Sequence, residues 1–220
     1  MSKKIKKFWR QVSYFFHTIN VFRYLKNWLF CLRYPFWRDT NPWTGVKLGY
    51  NTTWYDSINK GWRKAFGRQL SADIKAAGLA HRKAVGKKVP WKDMLQWQQI
   101  KEKWGELRLY ASAAHEISEV LDRYELLSIC YCNRCGKPAR YATKGWVEYC
   151  CEKCYDKLNT GSLLADSQIA DRKKKDRLTK KDIPHGVRYT KGKNGKLISH
   201  AINYKKAYGI DYAKMWGLEK

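Results

Sequence analysis

Acidic residues are scarce in this sequence of 220 residues, which has 19 aspartates and glutamates against 45 lysines and arginines. The resulting net charge of +26 opposes compaction by self-repulsion and favours a polyanionic partner. Nucleic acid is the first such partner to consider, and an anionic membrane surface is the second. The positive excess is spread along the whole chain, so no single basic arm explains it. A general solubility bias is the alternative explanation.

Long hydrophobic runs are also missing. The N-terminal region begins basic and turns apolar, but its longest uncharged stretch, residues 11–22, is too short to span a bilayer. No small-residue cleavage site of the kind that ends a signal peptide follows it. The seven cysteines are odd in number and mostly clustered, unlike a disulfide framework. The sequence therefore predicts a soluble intracellular protein without a transmembrane segment.

The familiar catalytic motifs are absent from the sequence. It contains no HExxH, no phosphate-binding P-loop and no dinucleotide fingerprint. The treble-clef frame of HNH nucleases needs histidines near its hairpin, and none lies between Cys130 and Cys154. None of the five histidines belongs to a recognisable ligand pair: His17, His81, His115, His185 and His200. We therefore predict a non-enzymatic protein.

Aromatic residues are abundant, at 15% of the chain with 11 tryptophans and 15 tyrosines. A disordered chain is poor in such residues, so most of this one is expected to bury a core. Hydrophobic periodicity predicts an α+β fold that is mainly helical. We divide it into an amphipathic helix, an aromatic-rich helical core with a short strand, a cysteine module, a basic linker, and a β-hairpin with a terminal helix: residues 1–33, 34–129, 130–160, 161–185 and 186–220.

Residues 5–33 have the pattern of one amphipathic helix that Pro35 ends. We expect its apolar face to pack in the core. The alternative is an interfacial membrane helix, since the face is rich in aromatics and four lysines stand at its start. The apolar face comprises Phe8, Val12, Phe15, Ile19, Phe22, Leu25 and Leu29, and the lysines are Lys3, Lys4, Lys6 and Lys7.

Local signals predict the elements that follow. Ser71 is expected to cap a helix over residues 71–89, and residues 91–104 to form another. The alternation in "ELRLYA" predicts a strand, after which Ser112 is expected to cap a further helix. Near the C-terminus, Asn194-Gly195 predicts the turn of a hairpin, which leads into a short helix.

Two Cys-x-x-Cys pairs are the most specific signal in the chain. Cys132 and Cys135 are separated by 15 residues from Cys151 and Cys154, a spacing typical of tetrathiolate zinc sites. A knuckle, a hairpin around Lys144-Gly145 and a helix that begins at the second pair predict a treble-clef-like module. A zinc ribbon is the alternative fold, and an iron–sulfur cluster is the alternative occupant.

Four protein ligands leave no open coordination position, so the predicted Zn²⁺ is structural rather than catalytic. Nearby cations can offset the negative charge of four thiolates and one Zn²⁺, and these are Arg134, Lys137, Arg140 and Lys153. The remaining cysteines, Cys31, Cys130 and Cys150, are expected to be buried small hydrophobes. The knuckle spacing favours Cys151 over Cys150 as the ligand.

Three motifs occur in one order: "GWRKAFG" at 61–67, "IKEKWGELRLY" at 100–110 and "CGKPARYATKGWVEYCCEKC" at 135–154. In this combination the chain resembles a family of uncharacterised proteins encoded by bacteriophages and prophages, over residues 34–157. The resemblance implies a phage origin, a bound zinc and a location in the cytoplasm of the bacterial host. It implies no known activity.

The function that these features predict is nucleic-acid binding, with lysines and arginines that neutralise phosphates and aromatics that stack on bases. One alternative is a phage protein that binds and modulates a host protein complex. Another is a membrane-surface protein anchored by residues 5–33. The predicted nucleic-acid contacts are Arg134, Lys137, Arg140, Lys144, Arg172, Lys173, Lys174, Lys175, Lys191, Lys193 and Lys196.

Overall fold

A computed structural model describes residues 20–41, 43–44, 46–86, 88–159, 165–191 and 197–219. Within these ranges the fold is α+β, as predicted. The helices are α1 (Val21–Arg33), α2 (Lys60–Trp62), α3 (Arg68–Val85), α4 (Trp91–Met94), α5 (His115–Ser128), α6 (Glu152–Asn159), α7 (Asp166–Asp176), α8 (Tyr204–Tyr208) and α9 (Tyr212–Met215). The strands are β1 (Leu95–Lys103), β2 (Glu106–Ala113), β3 (Tyr141–Ala142), β4 (Tyr149–Cys150), β5 (Val187–Lys191) and β6 (Leu197–Ala201).

The six strands form three two-stranded sheets, β1–β2, β3–β4 and β5–β6. The chain divides into two compact units. Unit 1 comprises residues up to 58, 67–101 and 108–121, and unit 2 comprises residues 59–66, 102–107 and 122 onward. Among the described helices, none has the length and apolar character needed to cross a membrane.

Helix α1 corrects the prediction of one continuous helix over residues 5–33. Asn20 has an extended backbone, and its side-chain oxygen accepts a hydrogen bond from the Arg23 amide, so a helix begins there. Residues 1–19 lie outside the described part. The expected core face is also wrong for the described turns, because Phe22, Leu25 and Leu29 are exposed. The helix buries Asn27 and Cys31 instead.

The "GWRKAFG" motif lies within a helical stretch that begins before the expected cap at Ser71. Helix α2 leads through a π-helical segment, Arg63–Gly67, into α3. Ser71 is interior to α3, and its hydroxyl donates to the Gly67 carbonyl at 2.8 Å. Helix α3 ends at Gly86, whose φ of 69° suits glycine.

The predicted helix over residues 91–104 is wrong beyond its first turn. Only α4 is helical, and β1 follows it with Leu95 and Trp97 buried and the intervening Gln96 exposed. Trp104 and Gly105 form the two-residue turn to β2, with φ values of 57° and 78°. Positive φ at both positions is typical of a type I′ hairpin turn, whose usual Asn-Gly signal is absent here.

Strand β2 confirms the alternation prediction in "ELRLYA" and extends past it. Ser112 therefore lies in the strand and does not cap α5. The first amides of α5, from Ile117 and Ser118, donate to the Ala114 carbonyl. Leu107 and Leu109 point inward from β2, while Tyr110 is exposed.

Unit 1 is built around buried aromatic side chains. Trp37 and Trp97 stack with ring centroids 4.9 Å apart and planes 8° apart. Each indole N–H has an acceptor: Trp37 donates to the Ser71 hydroxyl at 2.9 Å, and Trp97 donates to the Phe36 carbonyl at 2.8 Å. A buried indole N–H usually needs an acceptor, and both indoles have one here.

Unit 2 holds the predicted C-terminal hairpin and two short helices where one was predicted. β5 and β6 pair antiparallel from Val187↔Ala201 to Lys191↔Leu197, and the predicted tip residues 192–196 lie outside the described part. Gly209, at φ 69°, separates α8 from α9. Helix α9 packs into the core, where the Tyr212 hydroxyl donates to the Leu126 carbonyl at 3.0 Å.

Candidate metal centre

The first cysteine pair lies in a tight turn in unit 2. The Cys132 amide donates to the Lys137 carbonyl at 2.8 Å, and the Gly136 amide donates to the Cys132 carbonyl at 2.9 Å. Gly136 has a φ of 84°, which a residue with a side chain adopts only at a cost. These bonds close the turn and direct the sulfurs of Cys132 and Cys135 to the same side.

The second pair lies at the start of α6. β3 and β4 pair antiparallel with Tyr141 opposite Cys150, so the hairpin delivers the chain to Cys151 directly before the helix. The amides of Cys154 and Tyr155 donate to the Cys151 carbonyl at 3.1 and 2.9 Å. Cys151 therefore occupies the position before the first helical turn, and Cys154 lies within that turn.

The four sulfurs converge as the spacing predicts. The Sγ atoms of Cys132, Cys135, Cys151 and Cys154 all lie within 4.8 Å of one another, and Cys135 and Cys151 are 3.4 Å apart. A tetrahedron with metal–sulfur distances of about 2.3 Å places sulfurs about 3.8 Å apart. No disulfide joins any of the seven cysteines, all of which lie in the described part. The donor set therefore fits one tetrahedral metal ion.

The electrostatics of the cluster also favour a cation. A hydrogen bond from the Cys150 thiol, assisted by backbone amides of Cys151, Cys135 and Arg134, lowers the pKa of the Cys132 thiol to about 4 against the effect of burial. Burial is the main cause that raises the pKa of the Cys151 and Cys154 thiols. Four thiolates without a cation would repel one another, and a bound divalent ion reverses that balance.

The other cysteines are buried, as predicted, but Cys150 has a more specific position than simple packing. Its thiol donates to the Cys132 sulfur, and this bond is the main cause that raises the Cys150 pKa. Its sulfur also lies 3.9 Å from a Glu148 carboxylate oxygen. Glu148 in turn accepts two hydrogen bonds from Arg134, at 2.8 and 3.0 Å. Hydrogen bonds from residues that do not themselves bind the metal orient its ligands, and Cys150 is placed to orient Cys132 in this way.

Cys130 and Cys31 are packing residues. Cys130 belongs to a core cluster with Ile129 and Trp216, and burial raises the pKa of its thiol to about 12. Burial likewise raises the pKa of Cys31, in unit 1, to about 11. Neither belongs to the group of four cysteines whose sulfurs lie within 4.8 Å of one another, and thiols that resist ionisation are poor nucleophiles.

Gly61 of the "GWRKAFG" motif supports the first cysteine turn. Its amide donates to the Asn133 carbonyl at 2.9 Å, and a Cβ added there would overlap the carbonyl groups of Cys132 and Asn133. Trp62 is fully buried, and its indole donates to the Ser128 carbonyl at 3.0 Å. The motif and the cysteine module are therefore parts of one packed structure.

Helix α7 packs on the cysteine module through a buried carboxylate. The Tyr155 hydroxyl donates to Asp176 at 2.7 Å, and Tyr155 stacks on Tyr141 at 4.7 Å. Leu178, just after the helix, is buried, and its amide donates to the Arg140 carbonyl at 2.9 Å. The predicted basic linker, residues 161–185, is thus partly a solvated helix in its described residues.

The predicted basic contacts fall into groups. Arg134, Arg172, Lys173 and Lys174 pair with carboxylates, and Arg140 donates to the Ala139 and Met215 carbonyls. Among described residues, no carboxylate lies within ion-pair distance of Lys137, Lys144 or Lys175. Lys191 lies in β5, and Lys193 and Lys196 are outside the described part. The role of these residues in binding nucleic acid stays a prediction.

A cleft of about 690 Å³ lies beside the cysteine cluster. Basic side chains dominate its lining, which consists of Lys137, Pro138, Arg140, Cys151, Glu152, Lys153, Asp156 and Lys157. Lys173 pairs with both acids, at 3.1 Å from Glu152 and 2.8 Å from Asp156, and these two bonds raise its pKa. Lys173 therefore offsets one of the two acidic charges, and the four basic residues of the lining leave the cleft an excess of positive charge.

Two candidate contact residues of unit 2, one in the cleft and one at the β3–β4 turn, were missed by the sequence analysis. Lys157 follows Lys153 by four residues on α6, a spacing that places both on one helix face and could have been recognised. Trp146, at the turn between β3 and β4, is 78% exposed beside the exposed Lys144. Its exposure depends on the turn geometry, which the sequence does not specify.

Comparison of the chain with protein-family models, with curated proteins and with solved structures returns no match.

Proposed function

We propose that the chain is a non-catalytic nucleic-acid-binding protein of bacteriophage origin, whose four clustered cysteines hold one structural Zn²⁺. The phage origin and the action in the bacterial cytoplasm rest on the sequence resemblance. The binding function rests on the charge and on the cleft beside the cysteine cluster.

The zinc part of the proposal is supported by the ligand set and its closure. Four sulfurs at tetrahedral spacing select Zn²⁺ or an iron–sulfur centre and leave no position for a substrate. The knuckle, hairpin and helix order around the cluster favours a treble-clef-like module over a ribbon, because α6 supplies Cys154 from its first turn. Elemental analysis that finds one zinc per chain supports this assignment, and iron with visible absorption contradicts it.

The observation that carries the proposed function is the charge distribution in the cleft. Lys137, Lys153 and Lys157 line it, while the two acids beside them pair with Lys173. A phosphate that enters the cleft would meet these three ammonium groups, and Lys173 offsets part of the charge of the two acids. Each phosphate contact of this kind releases condensed counterions, which makes binding favourable and dependent on salt.

Trp146 adds a contact that a purely electrostatic surface lacks. Its ring stands exposed at the hairpin turn, where the Thr143 hydroxyl donates to its carbonyl at 2.6 Å and fixes the backbone. Bases in single strands stack on such rings, with each contact worth about 1–3 kcal/mol. The proposal therefore favours single-stranded or unpaired regions over regular duplex.

The test is binding of a fluorescent single-stranded oligonucleotide over a series of salt concentrations. We expect Lys137→Glu with Lys153→Glu to weaken binding and to reduce the slope of log affinity against log salt by about 0.7 per lost contact. The matched control is Lys83→Glu with Lys92→Glu, the same charge change at two exposed lysines of unit 1. Trp146→Ala is expected to weaken binding without changing the slope.

Equal losses in the cleft pair and the control pair would show that net charge alone drives binding. Negligible affinity of the wild-type protein for both DNA and RNA at low salt would reject the proposed function. A single stoichiometric protein captured from nuclease-treated bacterial lysate would then favour the alternative of a host-binding protein.

A further inference from the structure

Helix α1 carries an exposed apolar face. Phe22 is 87% exposed and Leu32 is 62% exposed, and the other members are Val21, Leu25, Trp28 and Leu29. At about 100° per residue these six side chains span about 120° of the helix circumference. Contiguous exposed apolar patches often mark interaction sites, whereas single exposed apolar residues are common and carry no such meaning.

The opposite face of α1 fixes the helix to unit 1, so the exposure is not that of a detached segment. Asn27 and Cys31 are buried, and the Asn27 side chain donates to the Tyr50 carbonyl at 2.9 Å. A guanidinium nitrogen of Arg23 lies 3.6 Å from a carboxylate oxygen of Asp56. The helix therefore packs through Asn27, Cys31 and the ring of Phe30, which contacts Tyr55, and leaves its most apolar face toward solvent, whereas an ordinary surface helix buries that face.

We infer that the apolar face of α1 binds the surface of an anionic lipid bilayer. The charge around the face indicates this occupant. The first 38 residues contain nine lysines and arginines and no aspartate or glutamate. Within α1, the exposed Lys26 and Arg33 lie at one edge of the apolar face. An apolar face with a basic edge is the pattern of helices that lie in the headgroup region.

A second copy of the chain fits the face less well. The helix offers no acid to pair with Lys26 or Arg33, so two copies face to face would bring like charges together. A 13-residue helix is about 20 Å long, shorter than the hydrocarbon core of a bilayer, so the face suits a helix parallel to the surface. None of these observations involves the nucleic-acid cleft in unit 2.

The test is flotation of the nuclease-treated full chain with phosphatidylcholine vesicles, with or without phosphatidylglycerol. We expect the wild type to float only with the anionic vesicles. Phe22→Ser with Leu25→Ser and Leu29→Ser is expected to lower the bound fraction about tenfold or more, because three apolar side chains no longer leave water. Since these side chains are exposed, zinc content and circular dichroism should stay unchanged.

The control replaces three exposed apolar residues outside α1: Val46→Ser, Leu79→Ser and Trp104→Ser. It should float like the wild type. Flotation of the α1 variant equal to that of the wild type, or failure of the wild type to float at all, overturns the inference. A wild type that stays with the soluble fraction as a dimer, and becomes monomeric in the α1 variant, would instead assign the face to a second copy.

Discussion

The two compact units achieve stability by different means. Unit 1 buries aromatic rings whose N–H groups are satisfied within the protein, as for Trp37 and Trp97. Unit 2 gathers four cysteine sulfurs within 4.8 Å of one another, an arrangement that a cation stabilises and four thiolates alone oppose. The stability of unit 2 is therefore expected to depend on metal supply, while that of unit 1 is expected to depend mainly on packing.

Metal removal is the largest test of this difference. We expect a strong chelator to abolish amide protection around the cysteine module while protection of α3 in unit 1 persists, measured by hydrogen exchange with mass spectrometry. Structural zinc contributes about 10–16 kcal/mol of apparent binding free energy in zinc-finger peptides, which is comparable with the whole free energy of unfolding of a typical domain. Full protection of residues 132–155 after the metal is removed would contradict the proposed role.

Single cysteine replacements sharpen the same point. Cys151→Ser is expected to lose zinc, because it removes one of four ligands, whereas Cys150→Ser keeps all four ligands and alters only the contacts of residue 150 with Cys132 and Glu148. Zinc per chain, measured by elemental analysis, separates the two variants. Zinc retained in Cys151→Ser and lost in Cys150→Ser would reverse the ligand assignment.

Gly61→Ala tests whether packing also limits unit 2. A methyl group at this position would overlap the carbonyl groups of Cys132 and Asn133. We expect a loss of about 1–3 kcal/mol from overpacking, together with weaker zinc binding. The control is Gly86→Ala in unit 1, where no atom lies within 4 Å of the added Cβ and only the positive φ of 69° opposes it. Unchanged zinc affinity in Gly61→Ala would separate the motif from the metal site.

The sequence was most informative where local geometry decides the structure. Cys-x-x-Cys turns bring sulfurs together through short-range hydrogen bonds, so spacing alone identified the four clustered residues. The prediction that the apolar face of α1 is buried was wrong, because burial is decided by the elements that pack on a helix. Here those elements cover Asn27 and Cys31. Strand β1 was mistaken for a helix because its apolar spacing also fits a helix, and because the Trp104-Gly105 turn that follows it lacks the usual Asn-Gly signal.

Ser71→Ala tests the packing side of the comparison. It removes the acceptor of the buried Trp37 N–H, which leaves an unsatisfied donor and is expected to cost about 1–3 kcal/mol. Zinc content should stay unchanged, because Ser71 belongs to unit 1. The control is Ser112→Ala, at an exposed serine that accepts from Gln98 at 3.2 Å. Equal urea midpoints for the two variants would show that the indole bond adds no stability.

The smallest expected effect is a pH dependence within unit 1. The pKa of Glu116, in the first turn of α5, is lowered by its own backbone amide and by its bond to His81, whose Nδ1 lies 2.9 Å away. A carboxyl whose pKa is lower in the folded state stabilises the fold above its unfolded pKa, and that contribution is lost as the pH falls through the folded value.

Glu116→Gln should therefore lower the unfolding midpoint at neutral pH, and the difference from the wild type should shrink as the solution is acidified below about pH 4.5. Glu119→Gln, at a nearby and largely exposed carboxylate, is the control. A Glu116→Gln deficit that stays constant down to the acid limit would show that the side chain acts through packing and not through its charge.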